Sequence, residues 1–600
     1  SSSDIQINTG SLHMYRGELQ HKAVYDNVMH INTVTAKRTT NSINTGRFPF
    51  KEIGNIELYL NGTRVFELKD FNFRFNSRGT IVGVDFYKKI SKGDEVKIVS
   101  MPVLSFKETK LALDVEAEMS MENLSLLKSD AIILNSGDLL MDESNINANK
   151  LARINVSKFI SLSAGSGIKS NYIENGSLDI ISGDLEINES NIEGSKSIKI
   201  RTDNKSIIKN KSTISVGWET TEVAFDDRVK VYWDAVTGDI IDQFGMLYPS
   251  KFNNASSALS YLSRLYGVDK STINMIDIYR PYNIRSIPSI DITSGQIVVE
   301  HGIFDSRAFG KPSGLKLNSK QDIHLSGQSR VNRFSLLEFK SKSVKIDSGF
   351  KFNSSSDSNI PIEILNIKSQ GDVDLNGVTL EASLVVDSDS SVALTDSTVN
   401  GSIVRLDAKD DLLIDQGELG ITPYFTAQRV SLLGGNISVG SVGVESKVDV
   451  RINASRKIEI DGPTRIGAWL RGVQSIAIEA PEIYLNEGTE IDASVAEVAW
   501  GQSGSIYIVG SRKLNLKGAI FKFNGSQLFS ETPSIELRGG DIALDNSKLL
   551  HFSFYNDDSH GEKYAKQHRN LSGSKMTKIN ATKSVKFSNA SYIYTNNGDV

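Results

Sequence analysis

The chain has 600 residues, 39% of them apolar and 23% charged, with a formal net charge of −5. That is enough apolar material to bury a core, and no basic stretch is long enough to suggest a nucleic-acid partner. The absence of cysteine excludes disulfides, thiolate metal sites and cysteine nucleophiles, and no run of about 18 apolar residues is present to span a bilayer.

The N-terminus, Ser1-Ser2-Ser3-Asp4, has neither the basic nor the apolar region of a signal peptide. After the alternating Ile5-Gln6-Ile7 the first 45 or so residues show no clear period. From about 46 to 100 the pattern becomes that of close hairpins. Ile56-Glu57-Leu58-Tyr59-Leu60 runs into Asn61-Gly62, a favoured two-residue turn, and then Val65-Phe66-Glu67-Leu68. Phe71-Asn72-Phe73-Arg74-Phe75, Ile81-Val82-Gly83-Val84 and Val96-Lys97-Ile98-Val99 complete a small antiparallel β module within an N-terminal region 1–103. Short domains of phage tail fibres are similar to it.

From 104 to 216 a repeat takes over. Leu111-Ala112-Leu113, Leu124-Ser125-Leu126, Ile154-Asn155-Val156 and Ile160-Ser161-Leu162 are apolar-x-apolar triplets separated by Ser, Asn, Gly and Asp. Period-2 alternation predicts strands with one buried face. Two or three such strands in about 20 to 25 residues make one coil of a β-solenoid. A ten-residue signature recurs at Gly137-Asp138, Gly183-Asp184, Gly371-Asp372 and Gly540-Asp541: a Gly-Asp turn, two apolar residues one apart, a polar turn and another apolar residue. A further copy begins at Gly598-Asp599-Val600, so the expectation is a piece of a longer array.

Residues 217–310 break the pattern. They hold Trp218, Trp233 and the tyrosines 232, 248, 261, 266, 279 and 282. Ala258, Leu259, Leu262 and Leu265 lie at helical spacing, which predicts a short helix over 256–266 capped by Ser256 or Ser257. The region reads as an aromatic-rich α/β insert. The repeat resumes over 311–600, with a polar interruption at about 551–570 that carries His551, His560 and His568.

The stretch Ser446-Lys447-Val448-Asp449-Val450-Arg451-Ile452, continuing through Ile458-Glu459-Ile460-Asp461-Gly462, resembles the core repeat of filamentous-haemagglutinin-like exoproteins. So does Gly504-Ser505-Ile506-Tyr507-Ile508, continuing to Leu514-Asn515-Leu516. Two-thirds of the chain shares this resemblance, as a degenerate repeat. It implies a right-handed parallel β-helix, secreted by a two-partner route with an outer-membrane transporter, serving as an adhesin stalk or a contact-dependent toxin carrier. The family's N-terminal secretion module and a C-terminal toxin are not recognisable in the sequence.

The expected fold is therefore mainly β: a parallel β-helix interrupted by a small antiparallel module and an α/β insert. Enzyme signals are poor. Asp226-Asp227, followed by Arg228 and Lys230, is a carboxylate pair of the kind that cleaves polysaccharides, yet adjacent strand residues point to opposite faces and the pair reads as a solvated turn. Asp410-Asp411 belongs to a repeat turn. The three histidines read as a polar loop rather than a metal site, calcium-binding nonapeptides are absent, and no cofactor is expected. Trp and Tyr stack on sugar rings and anchor interfaces, so Trp218, Tyr232, Trp233, Tyr248, Tyr266 and Tyr282 are the candidate ligand-binding residues. The other reading makes them the insert's own core. Trp469 and Trp500 sit between repeat strands.

The expected function is a non-enzymatic adhesin or display fibre, secreted to a bacterial surface, with a cell-surface receptor or glycan as partner. The alternatives are a trimeric phage tail fibre or tailspike that binds host polysaccharide, and a β-helix polysaccharide lyase or hydrolase.

Overall fold

The computed structural model describes residues 5–20, 30–35, 40–44, 56–61, 63–65, 71–75, 81–100, 110–170, 176–217, 229–233, 240–242, 255–266, 273–277, 288–307, 313–353, 364–468, 475–493, 505–524, 535–552 and 577–596. The chain divides into two compact units, Ser1–Ile5 with His21–Leu111, and Gln6–Gln20 with Ala112–Val600.

The first unit is antiparallel. Strands His30–Thr35, Glu95–Ser100, Ile56–Leu60 and Thr63–Val65 form one sheet in that order, and Thr40–Asn44, Ile81–Ile90 and Phe71–Phe75 form another. The predicted hairpin is present: Leu60 pairs with Thr63, and Asn61 has φ 50°, the left-handed conformation that the turn requires. The Asn61 amide donates to Asp94 Oδ1 at 2.9 Å and accepts the Glu95 N–H at 2.8 Å, tying the hairpin to the turn that connects the two sheets.

The second unit is a parallel β-helix, built on a sheet system of 40 strands. Each coil presents three faces. One coil runs 177–194: its first face pairs Ile180 with Ile154 before it and Ile200 after it. Its second face pairs Ile187 with Leu162 and Ile208, and its third pairs Ile192 with Ile168 and Ile214. The apolar-x-apolar triplets thus supply the inward positions. On the second face one ladder runs Met141, Leu162, Ile187, Ile208, Val299, Leu325, Ile346, Leu375, Leu394, Ile414, Val439, Ile460, Leu485, Leu516, Leu544, every member buried. A fully buried Ile or Leu contributes about 1.5–3 kcal/mol before chain entropy is subtracted. No coil closes that core alone; its neighbours supply the other half.

The Gly-Asp signature marks the bend between the first and second faces. A Cβ on Gly137 would lie 2.2 Å from the Ala117 carbonyl oxygen, and on Gly183 2.4 Å from that of Lys158. Gly371 and Gly540 meet the carbonyls of Lys342 and Arg512 in the same way. The backbone of one coil rests on the one before, and only glycine fits. The following aspartate caps the next coil: Asp184 Oδ1 accepts the Lys205 N–H at 3.0 Å, and Asp372 Oδ1 accepts the Ser390 hydroxyl at 2.7 Å. Asp541 Oδ1 accepts the Ser584 hydroxyl at 2.8 Å.

The second bend uses a left-handed residue followed by a buried serine. Glu143, Glu189 and Asn546 have φ of 47°, 52° and 49°. The serines after them are fully buried, and each donates to a carbonyl of its own turn: Ser144 to Asp142, Ser190 to Asn188, Ser547 to Asp545. Each serine N–H points at the hydroxyl of the next coil, Ser144 to Ser166 at 3.2 Å and Ser190 to Ser212 at 3.3 Å. The repeat's polar positions therefore satisfy backbone groups that the bends would otherwise orphan.

Two boundaries differ from the sequence expectation. Strands Ile5–Thr9, Leu12–Tyr15 and Glu18–Gln20 belong to the β-helix rather than to an N-terminal β region, since Met14 pairs with Met121 and Leu19 with Leu127. The insert ends earlier than 310: strands Ser289–Ser294, Gln296–Glu300 and Ile303–Ser306 form a regular coil. Within the insert, Val229–Trp233 pairs antiparallel with Ile240–Asp242 and parallel with Ile273–Asp277. The helix spans Ala255–Tyr266, with Leu262 fully buried. It starts before Ser256 and Ser257, so both lie in its first turn and neither is the cap.

Candidate functional site

Trp218, Tyr248 and Tyr282 lie outside the described residues. Tyr232 and Trp233 are on strand Val229–Trp233 and Tyr266 is the last residue of the helix, but their side chains lie outside the description. Asp226, Asp227, Trp469, Trp500, His560 and His568 lie outside it too, as does the side chain of His551. Asp410 and Asp411 are exposed at a first bend, where Asp411 accepts the Asn436 amide at 2.8 Å and stands 3.5 Å from Arg456. Among the described residues no group of three or more acidic or histidine side chains is placed to hold a metal ion, and no helix is long and apolar enough to cross a membrane.

Two clusters on the outer surface of the β-helix carry chemistry. The first lies on the second face, where His324, Lys345 and Asp374 occupy successive rungs. Asp347 joins them: His324 Nε2 is 2.6 Å from one carboxylate oxygen and Lys345 Nζ 3.2 Å from the other. Burial alone would raise Asp347, but the hydrogen bonds and charges of His324 and Lys345 outweigh it and hold the carboxyl below its ordinary range. Asp374 goes the other way. Burial raises it, the Asp347 charge adds to that, and Lys345 opposes both. Carboxylates pushed apart in this way suit acid–base work inside a closed cleft. Here both stand on the solvent side of a sheet, and Asp347 is ion-paired with His324 and Lys345.

The second cluster lines an open groove of about 780 Å³ along the second bend. Four successive coils contribute to it: Glu189 and Asn191, then Asn210 and Lys211, then His301 and Ile303, then Gln328 and Arg330. The bend geometry sets these side chains outward, since Glu189, Asn210, Lys211 and His301 all have φ between 52° and 62°. His301 is seated by its neighbours. Its Nδ1 accepts the Gln328 N–H at 3.0 Å, and a Cβ on Gly327 would lie 2.6 Å from the ring. The lone pair of Nδ1 is thereby used, and the ring proton of neutral His301 sits on Nε2.

Lys211 and Arg330 are exposed and form no ion pair with a described carboxylate. Arg330 pairs in register with Lys351, so two cations stack on adjacent rungs with no intervening acid. Some surface cations face acids, Lys209 with Glu186 at 2.6 Å and Arg333 with Asp305 at 2.8 Å, while exposed Lys340 and Lys368 stack on adjacent rungs as Arg330 and Lys351 do. The sequence reading missed this groove because its residues come from separate coils, with the insert between Lys211 and His301. Aligning the bends coil by coil, by the residue that precedes each buried Ser or Gly, is the signal that would have stacked them.

Comparison with known protein families, curated proteins and solved structures finds no match to this chain.

Proposed function

We propose that the chain is a non-enzymatic display fibre of a bacterial surface, an adhesin-type rod of the filamentous-haemagglutinin-like class that carries binding modules on a β-helix. The observation that carries this reading is the way the insert leaves the rod and returns. The Gly217 N–H donates to the Gly194 carbonyl at 3.0 Å and the Ser289 N–H to the Lys196 carbonyl at 3.1 Å. The two feet of the insert thus stand over residues two apart at one bend of the coil beneath. The ladders run on as though nothing intervened, Ile198 pairing with Ile290, Ile208 with Val299 and Ile214 with Phe304. A module hung on a bend without interrupting the stack suits a stalk that presents it.

The test is the solution mass and shape of the full chain, together with binding to candidate cell surfaces. A monomer near 65.9 kDa of high axial ratio supports the reading. So does loss of cell binding when 218–287 is replaced by a short Gly-Ser link that leaves the rod folded. A stable trimer would replace it with the tail-fibre reading, and cell binding unchanged by the deletion would remove the insert from the account.

A further inference from the structure

We propose that the groove between Glu189 and Arg330 is a binding site for an acidic oligosaccharide lying along the rod, with its anionic group held by Lys211, His301 and Arg330. Three independent features of the groove lead there. The first is charge: Lys211 and Arg330 have no acidic partner among the described residues, and Lys351 stacks beside Arg330 on the next rung. Stacked like charges at a protein surface repel one another, and an anion from outside relieves that repulsion.

The second feature is construction. His301 is set by the Gln328 N–H on Nδ1 and by the space that Gly327 leaves beneath its ring, which leaves the Nε2 proton as the ring's donor. Gly327 itself has φ 64°, so the bend needs glycine for its backbone as well. The third feature is size and polarity. Coils rise by about 4.8 Å, so the four contributing coils span about 14 Å, an oligosaccharide's length rather than that of a single small ion. Amide side chains of Asn191, Asn210 and Gln328 line it, offering both donors and acceptors to hydroxyl groups, while Ile303 supplies an apolar patch. Glu189 at one end disfavours a polymer with phosphate on every unit, and the chain's net charge of −5 also argues against nucleic acid.

The assignment deepens the display reading by giving the rod a ligand of its own, and the two fail separately. Calorimetry of the full chain at low salt would use a uronic-acid tetrasaccharide, its carboxyl-reduced neutral counterpart, a sulfated oligosaccharide and a short single-stranded oligonucleotide. The expected result is binding of the uronate or sulfated probe, with at least tenfold weaker binding of the neutral one. Which of the two anionic probes binds tighter identifies the anionic group. Lys211→Gln with Arg330→Gln should weaken binding at least tenfold at unchanged thermal stability, while Lys409→Gln, on another bend, should not. Gly327→Ala should weaken it as well by displacing His301. Equal binding of the neutral sugar, equal or tighter binding of the oligonucleotide, or indifference to the double substitution would overturn the site. An elongated monomer that binds none of the probes would overturn it too, and leave the display reading standing.

Discussion

Arg429 and Asp449 form an ion pair across adjacent coils, Nε to Oδ1 at 2.8 Å, with both side chains 5% exposed. They are register partners at the start of the first face, and the outer oxygen of Asp449 also accepts Arg451 Nε at 3.0 Å. Removing Arg429 leaves the buried Asp449 charge with the half-exposed Arg451 as its remaining cation, a weaker balance for its desolvation. Arg429→Ala should therefore destabilise this part of the rod by about 3 kcal/mol, while the joint change Arg429→Met with Asp449→Leu should cost much less. Denaturant unfolding, read with amide exchange at Val430 and Val450, tests the order. A double variant as unstable as Arg429→Ala would show that the pair itself stabilises the stack.

The bend glycines give a sharper contrast. A Cβ on Gly137 would meet the Ala117 carbonyl oxygen at 2.2 Å, whereas one on Gly10 meets nothing within 4 Å. Gly137→Ala should cost about 1–3 kcal/mol, because the obstacle is backbone that can move only by parting two coils. Gly10→Ala should change stability by no more than about 0.5 kcal/mol. Equal melting temperatures for the two variants would refute the packing account of the Gly-Asp signature.

Asp396 is a buried carboxylate that clamps a loop. Its oxygens accept the N–H groups of Gly417 at 3.0 Å, Leu419 at 2.9 Å and Ile421 at 2.8 Å. That holds Leu419 and Ile421 exposed above the second bend. Asp396→Ala should lower the free energy of local opening across 416–423 by about 2 kcal/mol or more, with a smaller effect on the rod as a whole. Limited proteolysis should then cut within the loop. A loop as resistant as in the parent chain would mean that other contacts hold it.

The sequence and the structure part company for identifiable reasons. The inward ladders were legible because period-2 alternation depends only on neighbours along the chain, and Leu139, Leu185 and Leu375 need no distant information to be placed. The bend glycines were legible only where an aspartate follows. Gly295 and Gly435 meet the carbonyls of Asn204 and Asp410 just as Gly137 meets that of Ala117, but Gln296 and Asn436 follow them and hide the signature. The coil at residues 5–20 was not legible, because its partners lie beyond the whole antiparallel unit: Leu19 pairs with Leu127. Nor was the groove. Lys211, His301 and Arg330 share a surface only through the coil-to-coil register, and that is a property of the stack.

The carboxylates of the second face make a pH prediction. Asp374 is raised from its ordinary value of 3.8, mainly by burial, and Asp347 is lowered despite its burial. A raised acid binds its proton more tightly in the folded chain, so its contribution to stability is present at low pH and is lost as pH rises through the raised value. A lowered acid contributes above its ordinary value, and that contribution is lost on acidification. Asp374→Asn removes the first effect and relieves repulsion on Asp347, while Lys345 keeps Asp347 as its partner at 3.2 Å. The variant should match the parent chain near pH 3. It should become more stable than the parent as pH rises above the ordinary carboxylate range, by about 0.5 kcal/mol at neutral pH. Thermal unfolding of both chains from pH 3 to pH 7 reads the gap. A gap that is constant with pH, or that opens toward acid, would show that Asp374 is not held in its protonated form by the surroundings described.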